Sequence, residues 1–198
     1  MTIRFSEPPV SSSRALERAM LSLEAPSDRI SFLKTARPSW TMPHEVYHLG
    51  LDAVESRRGI DAAEPVAWRY LSDPDTPAST AADIRVRTGE HEFAGLTRGP
   101  FVHAFAEAVQ RLAGDPAFES GDFEPRLLQV PALYVVALWL KERDSSGDVF
   151  IPLPPANSAV EPGRRYYREQ FEAALVQAAS KMRRPPPNIR REPGTEAP

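Results

Sequence analysis

The chain has no cysteine among its 198 residues, which excludes disulfide frameworks, thiolate metal sites and cysteine nucleophiles. Long apolar runs are also missing. The longest, Val130 to Leu140, covers 11 residues and is interrupted by Pro131, where a bilayer-spanning helix needs about 20. The opening residues, MTIRFSEPPVSSS, lack the apolar centre of a secretory signal. Lysine is scarce, at 3 against 21 arginines, a bias that points to a bacterial host with a GC-rich genome. No G-x-S-x-G, P-loop or G-x-G-x-x-G segment is present, so the common enzyme classes with local signatures are not indicated. These absences predict a soluble cytoplasmic protein without a transmembrane segment.

What is present fits one globular domain. Hydrophobic residues make up 41% and charged residues 26%, and 21 prolines favour loops and element boundaries. Net charge is -3, unevenly spread: Lys181 to Pro198 carries +3, which leaves -6 on the preceding 180 residues. An acidic body is a poor general binder of nucleic acid. The expected division is an N-terminal extension over 1–12, a single domain over 13–182, and a disordered tail rich in Pro and Arg over 183–198.

The densest apolar stretch lies between Glu124 and Pro155. Ala132 to Leu140 is wholly apolar, and its aromatic and β-branched content predicts a central strand. Arg143 to Asp148 has the composition of a hairpin loop, and Val149, Ile151 and Leu153 alternate as a returning strand that Pro152 places at an edge or end. Upstream, the spacing predicts a helix from Ser13 and a second short helix from Ser27, stopped by Pro38. A third runs from Pro43 to about Arg58, with Pro43 and Glu45 in its first turn and Gly59 as its stop. Strands are expected at PVAWRYL and Ala82 to Thr88, and Gly95 to Gly99 reads as the approach to a helix beginning at Pro100. A last helix carries Tyr167, Phe171, Ala174, Leu175, Ala178 and Met182 on one stripe. The order predicts an α+β fold with a mainly antiparallel sheet packed by N-terminal helices, a central helix and a C-terminal helix.

One stretch carries chemistry. His44-Glu45-Val46-Tyr47-His48 resembles the H-E-x-x-H signature of zincin metallopeptidases. Histidines at i and i+4 of a helix share a face and hold one zinc ion, while the glutamate polarises a bound water. The resemblance implies His44 and His48 as metal ligands and Glu45 as the catalytic base. It covers five residues. The metzincin continuation is absent, since Leu51 and Val54 stand where it requires Gly and His, and a third ligand would have to come from Glu64, His91 or His103. The competing reading makes His44 and His48 boundary residues of an amphipathic helix, with Glu45 complementing its N-terminus.

Weaker signals have structural readings beside them. Arg85 and Arg87, near His91, suit an anion site or the wet face of a strand. Trp68, Arg69 and Tyr70 suit a stacking surface or the core. The leading expectation is a non-catalytic interaction or accessory protein of a bacterial cytoplasmic system, with a protein partner, no cofactor and no nucleic acid. The alternative is a zinc-dependent hydrolase or peptidase, and a third reading is a nucleic-acid accessory factor acting through the basic tail. The balance leans away from an enzyme.

Overall fold

The computed structural model describes residues 2–23, 39–75, 79–116, 121–143 and 147–182. In chain order the elements are β1 (Thr2–Ile3), α1 (Val10–Leu23), β2 (Trp40–His48), α2 (Leu51–Glu55), β3 (Glu64–Ser72), β4 (Thr80–Arg87), β5 (Glu90–Arg98), α3 (Pro100–Ala113), β6 (Asp122–Val130), β7 (Val135–Glu142), β8 (Val149–Pro152), β9 (Tyr166–Tyr167) and α4 (Arg168–Met182). The strands form one sheet in the order β5-β4-β3-β2-β6-β7-β8-β9, with β1 beside the first residues of β6. Every pairing is antiparallel except β2 with β6 and β1 with β6. The expected α+β class is therefore what the chain adopts, and Thr2–Ile3, within the expected extension, contributes a strand. The short helix expected from Ser27 and the tail from 183 lie outside the described residues.

Both faces of this sheet are covered, which explains why β7 reads as an unbroken apolar run. Alternation along each strand sends successive residues to opposite layers. Leu127, Leu138, Leu140 and Ile151 pack under α3 with Phe105, Val109 and Leu112. Leu128, Ala137, Trp139 and Phe150 face the other way, onto Phe171, Leu175 and Ala178 of α4. On that second face, α1 covers the far half of the sheet by setting Ala15, Leu16 and Met20 against Tyr70, Ala82 and Ile84. Between α1 and α4 the middle of the sheet carries polar side chains.

Three local expectations need correction. The helix expected from Pro43 to Arg58 is strand β2 followed by the short α2. Pairing on both sides, with β3 and β6, satisfies the backbone of Trp40–His48 and outweighs the helix-like punctuation. Pro43, which has no N–H to give, falls in the register irregularity between Thr41 and His44, where Met42 has φ 49°. The stretch Gly95 to Gly99, expected as the approach to a helix, is largely strand: β5 runs to Arg98, and Gly95 sits at a register shift against Asp83. The central strand begins at Val135, not Ala132, because β6 and β7 close a hairpin in the register Val130↔Val135. Pro131–Leu133 form a helical turn there and Tyr134 takes the left-handed conformation.

Of the loop expected between Arg143 and Asp148, residues 144–146 lie outside the described ones, and Asp148 ties its end to the body. Its carboxylate is fully buried and accepts bonds from Trp139 Nε1 (3.1 Å), Lys141 Nζ (3.0 Å), the Glu142 amide (3.2 Å) and Arg168 Nη2 (3.0 Å). Arg168 also donates to Asp61 Oδ1 at 2.6 Å. Burial disfavours its charge, but the bonds to Asp61 and Asp148 outweigh that and raise its pKa. Without the Asp148 carboxylate Lys141 loses its ion pair, Arg168 keeps only Asp61, and the buried Trp139 Nε1–H loses its acceptor, at a cost of about 3 kcal/mol. Asp148→Ala should lose stability of that order in denaturant unfolding, whereas Asp61→Ala, at an exposed carboxylate, should leave the midpoint nearly unchanged.

Candidate functional site

Neighbouring residues of a strand point to opposite faces, and this separates the members of the His-Glu-Val-Tyr-His stretch. His44 lies on the α3 face, 1% exposed, with its ring stacked on Phe105 at 4.0 Å between centroids and 17° between planes. Its Nδ1–H donates to the Met42 carbonyl at 2.7 Å, so Nε2 of the neutral ring carries the lone pair. That atom is buried and has no hydrogen-bond partner among the described residues. Burial pulls the His44 pKa from 6.5 down to about 3. The bond to Met42 opposes this, Arg69 adds to it, and Asp83 works against it.

Glu45 lies on the other face. It accepts the Tyr47 hydroxyl at 2.7 Å and stands 4.0 Å from Arg126 Nε. His48 is tied to β6, where Nε2 donates to Gln129 Oε1 at 2.8 Å. Four residues of strand span about 13 Å, against about 6 Å on a helix, and the sheet stands between Glu45 and His44. The stretch does not build a zincin centre, because the proposed base cannot reach a water held by His44. Of the candidate third ligands, Glu64 is the backbone partner of His48, His91 Nδ1 shares a 2.9 Å hydrogen bond with Ser11 Oγ, and His103 is on α3. Among the described residues no three His, Asp or Glu side chains converge on one point.

The polar middle of the second face is a closed ionic network. Arg126 lies over the rings of Tyr47 (5.1 Å) and Trp139 (5.2 Å) and donates from Nε to Glu124 Oε1 at 2.7 Å. Arg143 approaches Glu124 Oε2 at 3.4 Å. Burial works against the charge on Glu124, but bonds from Ser6 and Arg126 and the positive charges of Arg126 and Arg143 prevail, holding its carboxyl below the usual range. Tyr47 is pushed well above its ordinary pKa, first by burial and then by its bond to Glu45. It stays protonated at neutral pH and is no base or nucleophile. Two carboxylates and two guanidiniums compensate one another here, and the cluster ties β2, β6 and β7 together. Arg126 and Glu124 escaped the sequence reading, although their alternation with Pro125 and Leu127 marks them as one face of a strand.

The weaker signals resolve structurally. Arg85 and Arg87 stand opposite Glu92 and Glu90 on β5, as cross-strand partners. Arg69 makes a bidentate pair with Asp83 (2.7 and 2.9 Å), and the hydroxyl of buried Tyr70 bonds Ser12 Oγ at 2.9 Å.

A groove of about 480 Å³ runs between α2 and α4. Its floor is Leu49, Val54, Leu175 and Val176, and Ala173 sits at its exposed lip. Glu169 and Glu172 line the α4 side, and Arg57 the other. The wall opposite α4 is held by Glu172, whose Oε1 accepts the Ile60 amide at 2.8 Å. Gly59, at φ 70°, precedes that amide, and a Cβ there would meet Glu172 Oε1 at 2.6 Å. Comparison with models of protein families, with curated proteins and with solved structures finds no match to this chain.

The buried histidine makes stability depend on pH. The folded chain keeps His44 neutral, while the unfolded chain protonates it below about 6.5. The stability it contributes is present above that value and is lost as pH falls toward 3. Between pH 7 and pH 5 this loss is about 2 kcal/mol at about 1.4 kcal/mol per unit of pKa difference. His44→Phe keeps the stack on Phe105 and cannot titrate, so its unfolding free energy should fall less over that interval, by about 2 kcal/mol. Unfolding free energies of the two proteins measured in parallel from pH 7 to pH 5 check this, and equal falls would overturn it.

Proposed function

We propose that this is a non-catalytic interaction protein that holds an apolar, basic-flanked segment of a protein partner in the α2–α4 groove. The observation that carries this reading is the groove itself, whose apolar floor is edged on α4 by Glu169 and Glu172. Such a surface favours apolar anchors in the floor and positive charge along α4, while Arg57 disfavours positive charge on the opposite side. The ionisable side chains elsewhere support the same reading. Those of the central network and the Asp148 junction are bound to one another, and Tyr47 is held protonated.

The zinc-hydrolase alternative requires Glu45 and His44 to act on one ion from opposite faces of the sheet, which their placement does not support. A nucleic-acid role for the basic tail concerns residues that lie almost entirely outside the described ones. No described helix is long and apolar enough to cross a membrane. The cytoplasmic, bacterial setting rests on composition alone and belongs to the proposal.

The test uses peptides displayed on phage, selected on the protein and counter-selected on Ala173→Arg. Ala173 is exposed on α4 and Arg is a good helix former, so the variant should fold while its side chain obstructs the groove. The expected result is enrichment of segments with large apolar residues next to Arg or Lys, with binding at least tenfold weaker to the variant. Selection of unrelated sequences, or equal binding to the variant, would remove the proposal.

A further inference from the structure

The groove lies beside the point where the described chain ends. Helix α4 forms one wall with residues from Glu169 to Gln177 and finishes at Met182. Another 16 residues follow, RRPPPNIRREPGTEAP, outside the described residues. Their composition fits the groove's demand. Ile189 is the one large aliphatic residue among them, and Arg190 and Arg191 come directly after it.

Length and direction agree with this. Nine helical residues separate Met182 from Ala173, about 13 Å along the axis. Seven residues of extended chain, 183–189, reach about 20 Å, enough to reverse and bring Ile189 beside Val176 and Ala173. Continuing in the same direction, Arg190 and Arg191 arrive at Glu172 and Glu169. The charges therefore match in the order in which the chain would meet them: an apolar residue over the apolar floor, then two cations along the acidic side. Arg57, on the far wall, opposes the reverse placement.

We infer that the C-terminal segment 183–198 binds the α2–α4 groove of its own chain, with Ile189 in the floor and Arg190 and Arg191 against Glu172 and Glu169, and so competes with the partner. This rests on the groove being the partner-binding site. The tail is then an internal competitor, and a partner must exceed its affinity multiplied by a high effective concentration.

The absence of cysteine makes the test direct, because a single Thr195→Cys in the full chain takes one nitroxide label. The expected result is strong paramagnetic broadening of the Gly59, Ala173 and Val176 amides by NMR, lost on adding Ile189→Asp. Absence of broadening at the groove would overturn the inference. So would equal broadening when spin-labelled, isotope-free chain is mixed with label-free, isotope-enriched chain, since the tail would then occupy another copy. Display selection repeated on full-length Ile189→Asp separates the two ideas. Peptides that bind there without any broadening in the labelled chain sink only the self-occupancy, whereas failure of both sinks the groove as a site.

Discussion

The parallel pairing of β2 with β6 is the joint on which the rest of the sheet depends. On one side of it β2, β3, β4 and β5 form an antiparallel meander, and on the other β6, β7, β8 and β9 form a second. Among the described residues the pairs Val46↔Leu127, Tyr47↔Leu128 and His48↔Gln129 form the ladder that connects them. One further backbone bond and several side chains reinforce this short seam. The His48–Gln129 bond and the Leu49 amide bonded to the Gln129 carbonyl close one end. On the α4 face Arg126 of β6 is packed against Tyr47 of β2, and on the α3 face Phe105 stacks over His44. The residues that looked like a metal motif are thus among those that join the two halves.

That assignment shows what the sequence does and does not make readable. The α+β class, α1, α3, α4 and the β7–β8 hairpin follow from local periodicity and turn chemistry, because each is defined by residues near one another in the chain. Strand β2 does not follow. Its Pro43, Glu45 and later Gly59 imitate the ends of a helix, and what overrules them is pairing with β3 and with β6, the latter some 81 residues away between His48 and Gln129. A single sequence carries no signal of that partner. Strand β5 failed for a related reason: Gly95 breaks its alternation, yet the irregularity is absorbed by a bulge against β4.

The candidate site was illegible for a different reason. A groove needs two walls, and here they come from α2 with the turn around Gly59 and from α4, more than a hundred residues later. Charge, by contrast, was conspicuous in the sequence, and its most buried members are spent internally. Glu124, Arg126, Asp148 and Arg168 hold strands and helix together, and their solvation has already been replaced by protein partners. What such a surface leaves available for recognition is shape and apolar contact, which is what the proposed groove would use.

The seam between the meanders also bears on how the chain is made. A ribosome releases β2 through β5 well before β6 exists, so the first meander emerges with one side of β2 lacking its eventual neighbour. Its contacts are local and form early, whereas closing the seam brings together residues roughly eighty apart and carries the larger loop entropy. Helix α3, synthesised in the interval, brings Phe105 to His44 and can shield that part of the nascent sheet. The stack covers a face of β2 and leaves its edge open, so the backbone of Val46 to His48 on that side stays unpaired until β6 joins it.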